Sequence, residues 1–113
     1  DIDFIRDFCL ELNMRVCLDV SHSKLACNHL HVPFRDFLDQ ILPYTAHLHL
    51  ADAKDVDGEG LQINDGEIDW VQLFIQIQEH CPNASFIPEI WQGHKNNGES
   101  AWLALERLEL AAK

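Results

Sequence analysis

No run of about 18 consecutive apolar residues occurs in the chain, which excludes a membrane-spanning helix on length alone. Basic side chains are scarce as well: 8 Lys and Arg stand against 19 Asp and Glu, a formal charge of −11 over 113 residues. Such a balance repels phosphate backbones and anionic lipid, and the basic residues are scattered rather than gathered in a patch. Neither nucleic acid nor a membrane is therefore expected as a partner. The four cysteines, Cys9, Cys17, Cys27 and Cys81, show no C-x-x-C spacing. Cys9 and Cys17 fall in apolar patterns, where a buried thiol is the usual outcome. No disulfide framework is expected, and a reduced, cytoplasmic setting fits better. No signal peptide is expected from the pattern, since Asp1 opens an acidic helical stretch, not a basic stretch followed by an apolar one. With no initiator Met and a start that already reads as mid-domain helix, the expectation is a piece of a longer protein.

What is present is ordinary globular material, 47% apolar and 24% charged, enough for a single domain and against disorder. Ile2, Ile5, Phe8, Cys9 and Leu12 recur at helical spacing, so residues 2–13 read as an amphipathic helix. Residues 15–20 (RVCLDV) form a short apolar run ending near Asp19, a buried strand. Residues 21–33 are polar, with three His, and Pro33 can open the next helix, whose inner face is Phe34, Phe37, Leu38, Ile41 and Leu42. Residues 46–51 (AHLHLA) read as a second strand, with His47 and His49 on one face and Leu48 and Leu50 on the other. A long Asp- and Gly-rich loop follows. Asp69 then reads as the N-cap of a helix carrying Trp70, Leu73, Phe74 and Ile77. Residues 84–90 (ASFIPEI) are a third strand, with Pro88 tolerated near its end. A final helix, roughly 100–112, is expected to bury Trp102, Leu105 and Leu108.

A helix followed by three strand–loop–helix units predicts an α/β fold with a parallel sheet and helices packed outside it. Loops after the strands are long and the return connections short. In α/β barrels, function sits on the loops at the C-terminal ends of the strands. Each strand here ends in a group able to ligate a metal: Asp19 with His22; His47, His49 and Asp52; and Glu89. Taken singly, each has a plain explanation, as a loop-opening acid, a packed core histidine or a helix cap. Three neighbouring parallel strands delivering such groups to one rim would leave unpaired charge at a cost of several kcal/mol, which a divalent cation removes. Mixed carboxylate and imidazole ligation suits Mn²⁺, Zn²⁺, Co²⁺ or Fe²⁺ better than Ca²⁺. The string Cys27, His29, His31 matches no closed tetrahedral set and reads as a loop helix. Gly58, Gly60 and Gly66 lack the G-x-x-x-x-G-K pattern of a phosphate cradle and read as turn residues.

The motifs C-L-D-V-S-H (17–22), H-L-H-L-A-D (47–52), G-E-I-D-W (66–70) and P-E-I-W (88–91), in this order and spacing, resemble the xylose-isomerase-like barrel superfamily: sugar-phosphate isomerases and epimerases, with the related apurinic endonucleases. The resemblance covers residues 14–108. It implies that the chain is the C-terminal portion of a TIM (β/α)8 barrel, three βα units behind a leading helix, and that residues 1–113 form a single partial domain. It implies Asp19, His49 and Glu89 as ligands of a divalent metal (Mn²⁺, Zn²⁺, Co²⁺ or Mg²⁺), with His22 contacting substrate or a second metal. Trp91 and His94 would line the sugar pocket, and His47 and Asp52 would support the ligands from behind.

The activity so implied is proton transfer next to a carbonyl in a sugar or sugar phosphate through a metal-stabilised enediolate, with Glu89 as one acid/base carboxylate. The other, a Glu on the preceding strand in the family, would lie upstream of Asp1. The Asp-x-His metal pair of the endonuclease branch corresponds to Gly58-Glu59-Gly60, which argues against nuclease chemistry. The Arg that some ketose epimerases carry six residues after the strand histidine is Asp55, which leaves the substrate open. Two other readings stand beside this one: a non-catalytic sugar-binding module of a larger, sialic-acid-synthase-like carbohydrate-biosynthesis protein, and a lyase or dehydratase on the same barrel. Because about eight strands close such a barrel, three alone would expose two sheet edges and an apolar inner face. Oligomerisation or a larger chain is expected to cover them.

Overall fold

The computed structural model describes residues 2–113; Asp1, at which the sequence pattern of the first helix opens, lies outside the described residues. In chain order, helix α1 (Ile2–Leu12) is followed by strand β1 (Val16–Asp19), helices α2 (Val20–Leu30) and α3 (Phe34–Ile41), a 3-10 turn (Leu42–Tyr44) and strand β2 (Thr45–Leu50). Short strands β3 (Asp52–Lys54) and β4 (Gly58–Leu61), helix α4 (Trp70–His80), strand β5 (Ser85–Pro88) and helix α5 (Lys95–Ala112) complete it. Strands β1, β2 and β5 form one parallel sheet with β2 in the centre, while β3 and β4 pair antiparallel in a separate hairpin. Three adjacent parallel strands with helices outside are the α/β arrangement of part of a TIM barrel. No helix among the described residues is long and apolar enough to cross a membrane.

The alternation of side chains along each strand decides which face is packed. Leu18, Leu48 and Leu50 point to the helices and are buried, in one core with Val20, Leu38, Ile41, Leu42, Leu73, Ala104 and Leu108. Each such leucine contributes about 1.5–3 kcal/mol relative to exposure. Parallel register then sets the opposite face: Cys17 lies beside His47 and Asp19 beside His49, while His47 and His49 lie beside Ser85 and Ile87. That open face is mostly polar, where an apolar one is expected from the sequence; Ile87, 45% exposed, is its apolar member. Cys17 belongs to this face and is exposed, against the expectation of a buried thiol, because it stands two residues before Asp19 on the same side of the strand.

Three segments depart from the sequence reading. Residues 20–30 form α2, a continuous helix where the sequence reading places only a loop helix around Cys27, His29 and His31, because the polar, His-rich composition shows no amphipathic stripe. Its ends supply the reason. Asp19 is the N-cap, its carboxylate accepting the His22 N–H at 2.9 Å. At the other end His31 takes a left-handed conformation (φ 56°) and the N–H of Val32 donates to the Cys27 carbonyl, the Schellman closure. The loop after β2 contains the β3–β4 hairpin. Finally, Trp102 is 67% exposed. Ala104 and Leu108, one turn apart, occupy the buried stripe of α5, and Trp102, two residues before Ala104, points about 200° away from it. The N-cap of α4 is Asp69, which accepts the Gln72 N–H at 3.0 Å.

The segment after β2 is organised around one buried carboxylate. Asp52 has no solvent exposure and accepts four hydrogen bonds: from the N–H groups of Ala53 (2.8 Å), Asn64 (2.9 Å) and Ile68 (3.1 Å) and from Trp70 Nε1 (2.9 Å). A buried charge without partners would be prohibitive; with four it pins the segment to the head of α4. Gly66 is required beside it, since a Cβ there would sit 2.4 Å from both Asp52 Oδ1 and the Ala53 carbonyl oxygen. Asp52→Ala is therefore expected to lower stability by about 3 kcal/mol or more, because four donors lose their acceptor at once. Gly66→Ala should be destabilising through the same carboxylate. Urea unfolding read by circular dichroism checks both, and a loss below about 1 kcal/mol for Asp52→Ala would remove its organising role.

Candidate metal and substrate site

The C-terminal ends of the three parallel strands meet at one rim. Asp19 closes β1, His49 is the fifth residue of β2, and Glu89 follows β5 directly. Glu89 is held there by its own backbone: its N–H donates to the Leu50 carbonyl at 2.9 Å, extending the β2–β5 ladder by one step. As a result one ligand atom from each of Asp19, His49 and Glu89 lies within 4.8 Å of the other two. His49 Nδ1 is 2.8 Å from Glu89 Oε2. A carboxylate only accepts, so Nδ1 is the donor, and in the neutral ring the lone pair is on Nε2.

The Asp19 carboxylate has two duties. Oδ1 caps α2, and Oδ2 faces His22 Nδ1 at 3.0 Å. The other ring nitrogen of His22 contacts Glu59 Oε2, from the hairpin strand β4. Held between two carboxylates, His22 is pushed above the ordinary imidazole pKa, first by its hydrogen bond to Asp19 and the charge of that carboxylate, and then by its hydrogen bond to Glu59. The sign follows from linkage. Whatever stability the protonated ring contributes is fully present below about pH 6.5 and is lost as pH rises through the folded-state value.

An open cleft of about 380 Å³ lies over this rim, lined by Asp19, Ser21, His22, His49, Ala51, Glu59, Gly60, Glu89, Ile90, Trp91 and Gln92. Its size suits a small ligand. Ser21 and Gly60 assemble its wall. Ser21 Oγ donates to the Asp52 carbonyl and accepts the Gly60 N–H, both at 3.0 Å, while the Gly60 carbonyl accepts the Trp91 N–H at 2.9 Å. Gly60 has φ +65°, and a Cβ on it would meet the Trp91 Cβ at 3.3 Å, so the hairpin and the loop after β5 touch there because the residue is glycine.

Of the residues singled out from sequence, Asp19, His22, His49, Glu89 and Trp91 share this cleft. Trp91 is 74% exposed at its edge. His94 stands exposed at the head of α5, beyond the lining residues. His47 lies one pleat deeper on the sheet, its Nδ1 hydrogen-bonded to Ser85 Oγ at 2.7 Å. The Asp52 carboxylate has all four of its partners in its own segment and α4, and none of them is a candidate ligand. Glu59 is the residue that sequence reasoning passes over, and its flanking glycines, 58 and 60, are the local signal for a backbone turning tightly to present it.

The model of the xylose isomerase-like TIM barrel family matches residues 1–109. The chain belongs to that family. Neither the curated proteins nor the solved structures contain a match to it. The family assignment agrees with the parallel sheet and with the position of the cleft at the strands' C-terminal ends, where barrels of this architecture place their sites. In this xylose isomerase-like segment, the His22 titration gives a direct check on the rim. In metal-free protein the His22 imidazole should titrate above a free histidine by NMR. Asp19→Asn should return it toward the ordinary value, and Glu59→Gln should produce a smaller drop. An unshifted His22 in the unsubstituted protein would mean that the Asp19–His22–Glu59 chain does not form in solution.

Proposed function

We propose that this chain supplies the C-terminal part of the active site of a divalent-metal-dependent isomerase or epimerase acting on a sugar or sugar phosphate. The observation that carries the proposal is the convergence of Asp19, His49 and Glu89 from three separate strands to within 4.8 Å. Two carboxylates and one imidazole form a donor set suited to Mn²⁺, Co²⁺, Zn²⁺ or Mg²⁺, and they would otherwise crowd negative charge at the rim. When bound, such a cation acts as a Lewis acid toward a carbonyl and its neighbouring hydroxyl.

The remaining work falls to the chain's own side chains. Glu89, 52% exposed at the side chain and facing the cleft, takes or returns the proton on the carbon next to the carbonyl. His22, oriented by Asp19 on one nitrogen and Glu59 on the other, donates a hydrogen bond to a substrate hydroxyl once a substrate oxygen displaces one of these partners. Trp91 offers an aromatic face at the mouth of the cleft, suited to the apolar side of a sugar ring. Gly60, whose carbonyl accepts the Trp91 N–H, keeps the backbones of the loop after β5 and of the Glu59 segment adjacent.

Mn²⁺ titration of the intact protein, followed by electron paramagnetic resonance, tests the ligand set. Asp19→Ala and Glu89→Ala are each expected to weaken binding by roughly 100-fold or more, beyond the usual effect of losing a supporting partner. Unchanged affinity in both would end the assignment. The reaction is tested by incubating candidate sugars in D₂O: isomerisation places deuterium at the carbon next to the carbonyl, an effect that Glu89→Gln should abolish. Elimination products instead would identify a lyase, and binding without exchange would identify an accessory sugar-binding module.

A further inference from the structure

One pleat below the rim, the same strands present a second group of donors. Side chains two residues apart share a face, so Cys17 lies beneath Asp19, His47 beneath His49, and Ser85 beside His47 through the sheet register. One ligand atom from each of Cys17, His47 and His49 lies within 4.8 Å of the other two. Cys17 Sγ is 3.6 Å from His49 Nε2, and the two imidazoles meet edge to face with centroids 5.1 Å apart.

The hydrogen bonds at the back of these rings organise them as in a metal site. In the neutral ring, His49 Nδ1–H donates a hydrogen bond to Glu89, and the lone pair of Nε2 is directed at the Cys17 sulfur. His47 Nδ1 is engaged by Ser85 Oγ, which leaves Nε2 as its free nitrogen. A histidine whose second nitrogen is tied to a carboxylate or hydroxyl is fixed in tautomer and ring orientation, the usual arrangement behind a metal-bound imidazole. One thiol and two imidazoles are, moreover, a softer set than the rim above: sulfur and nitrogen favour Zn²⁺ over Mn²⁺ or Mg²⁺.

We propose that Cys17, His47 and His49 form a second cation site, specific for a thiophilic ion of the Zn²⁺ type, stacked directly beneath the rim site. On binding, the Cys17 thiol loses its proton to solvent and the sulfur coordinates as thiolate. A neutral imidazole has one lone pair to give, so His49 serves either this site or the rim, and the two compete for it. The lower site does not rest on the rim being a metal centre, since its other donors, Cys17 and His47, take no part there.

Co²⁺ titration of the intact, reduced protein tests this, because thiolate coordination produces a sulfur-to-metal charge-transfer band in the near ultraviolet that carboxylates and imidazoles do not. The band is expected in the unsubstituted protein and should be lost in both Cys17→Ser and His47→Ala. Zn²⁺ should also protect Cys17, the exposed cysteine, from alkylation, slowing it at least tenfold, with the protection lost in His47→Ala. Absence of the band from the unsubstituted protein, its survival in Cys17→Ser, or equal alkylation rates with and without Zn²⁺ would overturn the proposal. Mn²⁺ resonance reports on the rim independently, so the failure of one site is distinguishable from the failure of the other.

Discussion

Parallel pairing of β1 and β5 with the central strand β2, in matched register from Cys17 to Asp19 and from Ser85 to Pro88, is the constraint from which the site follows. In a parallel sheet all strands end at the same rim, and side chains at matched register face the same side. Once Leu18, Leu48 and Leu50 are drawn under the helices, Asp19 and His49 have no alternative to the opposite face and lie next to one another. A shift of β1 by one residue would turn Asp19 into the apolar core and Leu18 out to the open face, losing the burial of a leucine and desolvating a carboxylate together. The hydrophobic pattern thus enforces the position of the polar groups, although none of the polar groups is needed for the pattern.

A second, smaller constraint builds the walls of the cleft. Asp52 follows β2 by two residues, and its carboxylate gathers three backbone N–H groups and the Trp70 indole around itself. The chain between Ala53 and Ile68 is thereby folded back over α2, where Ser21 accepts the Gly60 N–H, and Glu59 arrives at His22. Asp52 acts on the site from a distance, by shaping the segment that carries Glu59 and by anchoring Ser21 through its carbonyl oxygen. A carboxylate three residues after a strand histidine can serve a metal ligand or serve the backbone, and here all of its accepting capacity goes to the backbone and an indole.

How much of this was legible in the sequence depends on which interactions specify each part. The three strands are short apolar runs whose burial is a local property of composition, and the ligand-bearing positions at their ends could be read with them. The hairpin could not. Gly58, Gly60 and the acidic residues around them have poor strand propensity, and the pairing depends on Asp52, whose partners Asn64, Ile68 and Trp70 lie up to 18 residues away. The full extent of helix α2 is hidden for a related reason: it buries only Val20, Ser21 and Cys27, so its face has no periodic apolar stripe, and its two caps define it instead. Trp102 illustrates the opposite error, in which a large aromatic is assigned to a core that Ala104 and Leu108 already fill. The exposure of Cys17 is, by contrast, contained in the sequence, since the parity that puts Asp19 on the open face puts Cys17 there too.

The rim and the layer beneath it meet in one side chain. His49 has Glu89 at one ring nitrogen and Cys17 at the other, so its protonation pattern couples a carboxylate the site needs to a thiol the proposed reaction does not use. While Nδ1 donates to Glu89, the lone pair faces downward toward sulfur. For His49 to serve a cation at the rim, the proton must leave Nδ1 or the ring must turn, and Glu89 is then released from its hydrogen bond to become a ligand or a base. In the proposed rim site, cation binding and release of Glu89 from His49 would accordingly be one event, while occupation of the proposed lower site would favour the tautomer in which Glu89 is held. The order of donors along two strands, Cys-x-Asp beside His-x-His, is sufficient to set up that opposition, because a strand repeats its faces every second residue and an imidazole offers a single lone pair.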